Sequence, residues 1–206
     1  MKKEKLAELL LDHHQDTFQI ILYHWKVRNR LFLFILILLA LMALDFYSPN
    51  ATSRWVNAFI TKNLGPEAPI FDFEIMGTVT IFLLLTLVVE YFKRSIHVDR
   101  LYRYLITVEE DLCAAMGGDY ITREGKSYFS RTGVPEPDGR NNRPLCLRCV
   151  GFLFSYFFPI ALMLGLAYKI LHDFDLTKLI AILNTLFELF IFAYCAFYLA
   201  WVIKKK

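Results

Sequence analysis

The sequence predicts an all-α, polytopic membrane protein with four transmembrane helices, a small cytoplasmic helical insert and an N-terminal amphipathic helix. Three observations support this fold class. Hydrophobic residues make up 56% of the 206-residue chain and aromatic residues 16%, which exceeds the balance of a soluble domain. Four long apolar runs alternate with segments that hold most of the 43 Lys, Arg, Asp and Glu residues. The cations are also distributed unevenly among those segments, as membrane topology requires.

The apolar run from Leu179 to Ile203 is the clearest predicted span. It contains a single ionisable side chain, Glu188, and three lysines follow it. As an α-helix it would extend roughly 37 Å, which is enough to cross a hydrocarbon core of about 30 Å with some tilt. This run is the main reason for assigning the whole chain to the class of membrane proteins.

The other elements follow from the same criteria applied in chain order. Lys and Arg mark the inner ends of the spans, and Pro, Gly and Asn mark the links. The predicted segments are an amphipathic helix at 1–30, a first span at 31–47, an external link at 48–74, a second span at 75–92, a cytoplasmic insert at 93–148, a third span at 149–168, an external turn at 169–178, a fourth span at 179–203 and a cytoplasmic tail at 204–206.

The insert begins as a continuation of the second helix. Apolar residues recur there at three- and four-residue steps as far as Leu112, and Gly117-Gly118 should end the helix. The acidic run Glu109-Glu110-Asp111 is expected on the solvated side. Residues 119–131 fit a short helix or a hairpin equally well, and 132–144 form a turn-rich linker. The insert is expected to pack on itself, on the N-terminal helix or on a neighbouring subunit.

Basic residues predict the orientation of the spans. The N-terminal segment holds six Lys and Arg, the insert ten and the tail three, whereas the two links on the other side hold four. Positive charge is retained on the cytoplasmic face of a bilayer. Both termini and the insert are therefore predicted to be cytoplasmic, with the protein in a bacterial inner membrane.

Glu188 is the sharpest candidate for a site, because ionisable residues inside a membrane are usually functional. Asn184 and Thr185 fall on the same arc of the helix and complete a predicted intramembrane polar site. Two interpretations remain open: a carboxyl that fixes packing or oligomer register, and a proton or ion site. No Lys or Arg is expected at the depth of Glu188 in another span, which favours a neutral carboxyl or a contact between copies of the chain.

Other motifs indicate little chemistry. Cys146 and Cys149 form a C-x-x-C without the second ligand pair of a zinc site or the strand-to-helix context of a redox fold. No catalytic, cofactor-binding or metal-ligating residues are predicted, and no enzyme is expected. Basic residues of the insert are candidates for contacts with an anionic partner, unless they serve topology alone: Arg100, Arg103, Arg123 and Lys126.

The stretch from Arg100 to Ser130, RLYRYLITVEEDLCAAMGGDYITREGKSYFS, carries a family resemblance. With the polar linker and proline-containing span that follow, it resembles small bacterial membrane proteins of the anti-phage type, such as retron-linked transmembrane effectors. The resemblance covers about a quarter of the chain and carries no catalytic or ligand residues. Several such effectors have two spans, whereas this chain is predicted to have four. The resemblance implies antiviral defence through membrane damage.

These observations predict a regulated inner-membrane effector that makes the membrane leak or depolarise, in anti-phage defence by abortive infection. The alternatives are a non-toxic membrane scaffold that recruits a cytosolic partner, and a small transporter or membrane enzyme that uses Glu188. The expected partners are membrane lipid, further copies of the chain, and a cytosolic regulatory protein or nucleic-acid-containing sensor. No small-molecule substrate is indicated.

Overall fold

The computed structural model describes residues 3–47, 73–118, 151–173 and 178–204, with residues 54, 57–59, 61–63, 65, 125 and 149 between them. Four α-helices account for most of these residues. They are α1 (Lys3–Tyr47), α2 (Phe73–Met116), α3 (Phe158–Asp173) and α4 (Leu179–Lys204), and a π-helical turn at Leu153–Phe157 precedes α3. The described residues contain no strand, which confirms the all-α prediction.

Four helical segments are long and apolar enough to cross a membrane: Lys5–Leu44, Ile75–Met116, Leu153–Leu171 and Leu179–Lys204. Large apolar side chains are exposed on every one of them, including Phe34, Val79, Leu164 and Phe197. An aqueous fold seldom leaves so much apolar surface uncovered. The predicted number of candidate spans is therefore confirmed.

Helices α1 and α2 are unusually long because nothing in their sequences interrupts them. Neither contains a proline, and the only glycine in α2 is Gly77, in its second turn. Helix α2 ends at Gly117, which has a left-handed φ of 79°, and the N–H groups of Gly117 and Gly118 donate to the carbonyl of Cys113. Glycine adopts this conformation without a Cβ penalty. The predicted helix stop is thus confirmed.

The chain divides into two compact units. Unit 1 comprises residues 1–29 and 92–154, and unit 2 comprises residues 30–91 and 155–206. In unit 1, Ile21 of α1 packs with Val98, Tyr102 and Leu105 of α2 in a buried apolar cluster. The insert therefore packs on the N-terminal helix, which was one of the three arrangements expected.

Buried positions along α2 follow a seven-residue pattern. Nine buried residues from Ile81 onward lie at steps of three, four or seven, as in a coiled-coil seam, and they are Ile81, Leu84, Val88, Tyr91, Val98, Tyr102, Leu105, Glu109 and Leu112. The other buried residues of this part of α2 are Phe92, Asp99, Val108 and Cys113. The buried residues of α1 fit the same spacing, and they are His14, Thr17, Ile21 and Ile35. Polar residues thus occupy several seam positions.

Unit 2 has an aromatic and aliphatic core. Phe158 of α3 makes edge-to-face ring contacts with Phe32 of α1 and Tyr91 of α2, with ring centroids 5.1 and 5.4 Å apart. Leu162 and Leu166 of α3 are also buried. Their spacing places them on the same face as Phe158, so one face of α3 provides its share of the core.

The π-helical turn before α3 is explained by Pro159. A proline has no N–H and its ring collides with the carbonyl four residues earlier, so a regular α-helix would be strained around Ser155. The wider turn at Leu153–Phe157 spans this position. The sequence predicts a disturbance at Pro159, and in the structure that disturbance is this turn.

Candidate functional site

Glu188 lies on α4 in unit 2, and only 2% of it is exposed. The buried residues of α4 are Glu188, Ile191, Cys195 and Tyr198, whose spacing of three, four and three defines one inward face. Helix geometry therefore places this carboxylate in the core of unit 2, among residues that are otherwise largely apolar.

Lys169 of α3 reaches this carboxylate. Its Nζ lies 3.6 Å from Oε1 of Glu188, and 26% of the lysine side chain is exposed against 3% of the glutamate side chain. The distance exceeds that of a good charged hydrogen bond, so the two groups interact chiefly as charges. A buried carboxylate is costly unless it is paired, and the lysine reduces that cost.

The sequence indicates no Lys or Arg at the depth of Glu188 in another span, yet a cation reaches this carboxylate from α3. Lys169, which falls in the predicted external turn at 169–178, lies within α3, which continues to Asp173. Helices α3 and α4 pack against each other, and five residues separate them. Because a lysine stem is long and flexible, its ammonium can extend along the hairpin to a residue further from the turn.

The two other predicted members of this polar site have different environments. The Thr185 hydroxyl donates to the Ala181 carbonyl at 2.9 Å, so its hydrogen is used within its own helix. Asn184 lies one turn before Glu188 and therefore on the same face. Its Oδ1 is buried and accepts no hydrogen bond from the residues that the structure describes.

Unit 1 contains a second buried carboxylate, Glu109, which is fully buried. Its Oε1 accepts a hydrogen bond of 2.6 Å from the backbone N–H of Gly125. The same oxygen lies 3.5 Å from Nε2 of His14 on α1. The expectation that Glu109 would be solvated is wrong, whereas Glu110 and Asp111 are exposed as predicted. Glu109 occupies a seam position, and helix geometry turns its two neighbours outward.

Gly125 approaches α2 so closely that no side chain would fit. A Cβ at this position would lie 2.9 Å from the Ile106 backbone nitrogen and 3.0 Å from Oε2 of Glu109. The absence of a Cβ therefore permits the hydrogen bond to Glu109. The sequence pattern around Gly125 does not predict this contact.

Polar contacts elsewhere in unit 1 also join α1 to α2. His13 Nε2 lies 2.7 Å from the Tyr104 hydroxyl, and Arg94 donates to Nδ1 of His24 at 2.7 Å. Together with the pair formed by His14 and Glu109, these contacts join the two helices near residues 13–14 and near residue 24 of α1. The arrangement fixes the alignment of the two helices in unit 1, as polar seam residues do in coiled coils.

The residues predicted to contact an anionic partner are only partly described. Arg100 is exposed on α2. Arg103 is also exposed, but its Nε lies 3.5 Å from the buried Asp99 carboxylate one turn earlier. Arg123 and Lys126 lie outside the described residues, as does Cys146 of the C-x-x-C motif. The exposed Cys149 is described and has a free thiol.

No group of three or more His, Cys, Asp or Glu side chains within the described part of the chain is placed to hold a metal ion. The described residues offer charged groups in apolar surroundings, above all the carboxylate of Glu188 and the ammonium of Lys169 in unit 2. Comparison with known proteins found no match to this chain among protein-family models, curated proteins or solved structures.

Proposed function

We propose that the chain is a multi-pass protein of the bacterial inner membrane that lets ions or protons leak across the bilayer when it is activated. The observation that carries this proposal is the charge pair formed by Lys169 and Glu188 in a helical unit with an apolar exterior. Charged groups are expensive at membrane depth, and those that occur there typically mark ion or proton pathways.

The charge pair suits this role because it can change state. While Lys169 and Glu188 are both charged, their charges cancel and the apolar core tolerates them. Protonation of Glu188 or withdrawal of the lysine toward water would alter the net charge inside the unit. The buried oxygen of Asn184, one turn away, adds an acceptor along the same face of α4.

Flux through the purified protein in liposomes tests the proposal. A potassium gradient with valinomycin sets the membrane potential, and a potential-sensitive dye and a pH-sensitive dye report the leak. We expect the full chain to dissipate the gradient and Glu188→Gln to reduce the rate at least about tenfold. Glu110→Gln, which alters an exposed acid of unit 1, is the matched control and should leave the rate unchanged.

Two results would contradict the proposal. Liposomes with the wild-type protein that hold the gradient as long as empty liposomes, under every activating condition tried, would exclude a leak. Reporter fusions that place the region after residue 118 outside the cell would contradict the proposed topology. Uptake of one specific solute that depends on Glu188, without a leak, would instead indicate a transporter.

We further propose that activation belongs to anti-phage defence by abortive infection, which is what the resemblance of residues 100–130 implies. A leak that is harmless until infection would require a sensor, for which a cytosolic protein or a nucleic-acid-containing complex is the proposed partner. Plaque counts on cells that carry the gene with its natural neighbours test this idea. Equal plating on wild-type and Glu188→Gln cells would contradict it.

A scaffold function is the second candidate, and one observation favours it. Helix α1 of unit 1 exposes large apolar side chains, among them Leu9, Ile20 and Tyr23, at 52, 48 and 60%. Such a surface suits a protein partner or a second copy of the chain. Cross-linking from position 20 in cells, with Glu8 as the control position, should capture a specific protein if this candidate is right, and should capture none if it is wrong.

A further inference from the structure

Unit 1 contains a group of basic side chains that the proposed leak does not use. His24 and Arg28 lie one turn apart on α1, and Arg94 and His97 lie one turn apart on α2. We refer to these four residues as the basic cluster. All four belong to unit 1. They lie where the α1 and α2 segments of this unit come closest in sequence to the apolar runs of the same helices.

Two direct contacts join the helices within the basic cluster. Nη1 of Arg94 lies 2.7 Å from Nδ1 of His24, and the rings of His24 and His97 meet edge to face with centroids 4.6 Å apart. A guanidinium can only donate, so Nδ1 of His24 accepts and the ring proton is on Nε2. Both side chains of this pair, His24 through Nε2 and Arg94 through its guanidinium, therefore carry hydrogen-bond donors.

Arg28 has one buried donor that the described contacts do not satisfy. Its Nε is buried and has no acceptor among the residues that the structure describes. Its Nη2 donates to Oδ1 of Asn29 over a long distance of 3.4 Å. The Trp25 ring holds the guanidinium from one side, 4.9 Å from the ring centroid. A buried N–H without an acceptor is costly, and an anion at this partly exposed guanidinium would satisfy it.

The neighbouring residues strengthen the positive field. Lys26, Arg30 and Lys93 flank the basic cluster in sequence and are exposed. Asp99, the next acid along α2 in unit 1, lies beside Arg103 at 3.5 Å. A planar guanidinium with several N–H donors suits the tetrahedral oxygens of a phosphate better than a single point charge does.

We infer that the basic cluster binds the phosphate of an anionic phospholipid at the cytoplasmic surface of the membrane. The apolar run of α1 begins at Leu31 and that of α2 ends at Phe92, so the cluster lies at headgroup level if the proposed membrane insertion is right. Trp25 fits this level because tryptophan is enriched at membrane interfaces. The inference rests on that insertion, but it does not depend on a leak.

Lipid binding by the full-length protein in a neutral maltoside detergent tests the inference. Native mass spectrometry would measure the apparent affinity for phosphatidylglycerol, with phosphatidylcholine as the zwitterionic comparison. We expect the anionic lipid to bind more tightly, and Arg28→Gln and Arg94→Gln each to weaken its binding about tenfold, since each removes charged hydrogen bonds. Lys5→Gln removes an exposed cation of α1 outside the cluster and should leave the affinity unchanged.

Four outcomes would overturn the inference. Equal binding of the two lipids would show that charge is not recognised, and equal weakening by Arg28→Gln and Lys5→Gln would indicate a diffuse surface field. Inorganic phosphate that displaces phosphatidylglycerol at equimolar concentration would identify a free anion as the ligand. Arg28→Lys keeps the charge but loses Nε and the planar fork, so an affinity equal to wild type would also count against this site. Because the affinity is measured without flux, a protein that does not leak could still bind the lipid.

Discussion

Two buried carboxylates, Glu109 in unit 1 and Glu188 in unit 2, are held in contrasting ways. Glu109 accepts a short backbone hydrogen bond from Gly125, whose position is fixed by tight packing on α2. Glu188 faces the end of a flexible lysine at 3.6 Å. A directional backbone contact favours one arrangement, whereas a long-range pair with a mobile side chain tolerates several. Burial alone therefore does not show how firmly a carboxylate is held.

The largest effect on stability is expected for Glu109→Ala. The substitution opens a cavity in a fully buried position and leaves the Gly125 N–H without its acceptor, which together should cost about 3–5 kcal/mol. Titration of the full chain with a denaturing detergent, followed by tyrosine and tryptophan fluorescence, would measure the loss. Glu110→Ala is the control on the exposed side of the same helix. A loss of under about 1 kcal/mol for Glu109→Ala would show that this carboxylate is not structural.

Gly125→Ala should be the next most damaging change. The added Cβ would meet the Ile106 backbone at 2.9 Å and push the chain away from Glu109, at an expected cost of about 2–3 kcal/mol. Hydrogen exchange of the amide at residue 125 would report the separation directly. Gly151→Ala, where the added Cβ meets nothing within 4 Å, is the matched control. Unchanged protection at residue 125 would refute the close approach.

Lys169→Met should lower the free energy of unfolding by less, because the Glu188 side chain can change its position when the lysine is lost. Loss of the cation leaves a buried carboxylate without this compensation and should cost about 1–3 kcal/mol. The double variant with Glu188→Gln should recover most of that stability. A double-mutant cycle would measure the coupling, which we expect to be at least about 1 kcal/mol. Strictly additive effects would mean that the two charges do not interact.

The smallest effect is expected for Arg103→Gln. Its side chain is 57% exposed, so solvent screens its interaction with Asp99 and the loss should stay below about 0.5 kcal/mol. The same unfolding titration would measure it, with Arg100→Gln as the reference for removal of an exposed cation. A loss comparable to that of Lys169→Met would show that Asp99 depends on Arg103 as strongly as Glu188 depends on Lys169.

Local patterns in the sequence predict much of this fold. The apolar run that forms α4 and the glycine pair that ends α2 are recognisable because length, hydropathy and backbone conformation are encoded in neighbouring residues. The burial of Glu109 also has a local signal, since it continues the spacing set by Val98, Tyr102 and Leu105. The charge of Glu109 favours a solvated position, but its place in the apolar spacing decides its burial.

The contacts around Glu109 and Glu188 join residues that are distant in sequence. Gly125 and Glu109 are 16 residues apart, and Lys169 and Glu188 lie on two different helices. Neither has a motif, because they depend on how the helices pack and on the reach of individual side chains. Asn184 and Thr185 also share a predicted face but differ in their contacts. The Thr185 hydroxyl donates to the backbone of its own helix, whereas the Asn184 amide oxygen accepts no hydrogen bond from the described residues.

The polar levels of the α1 and α2 seam in unit 1 limit how this helix pair can move. If α1 advanced by one turn along α2, His14 would lose Glu109 and His24 would lose Arg94 at the same moment. A slip of one turn is therefore opposed at both ends of this polar seam together, and the register of the helix pair in unit 1 is set by these contacts.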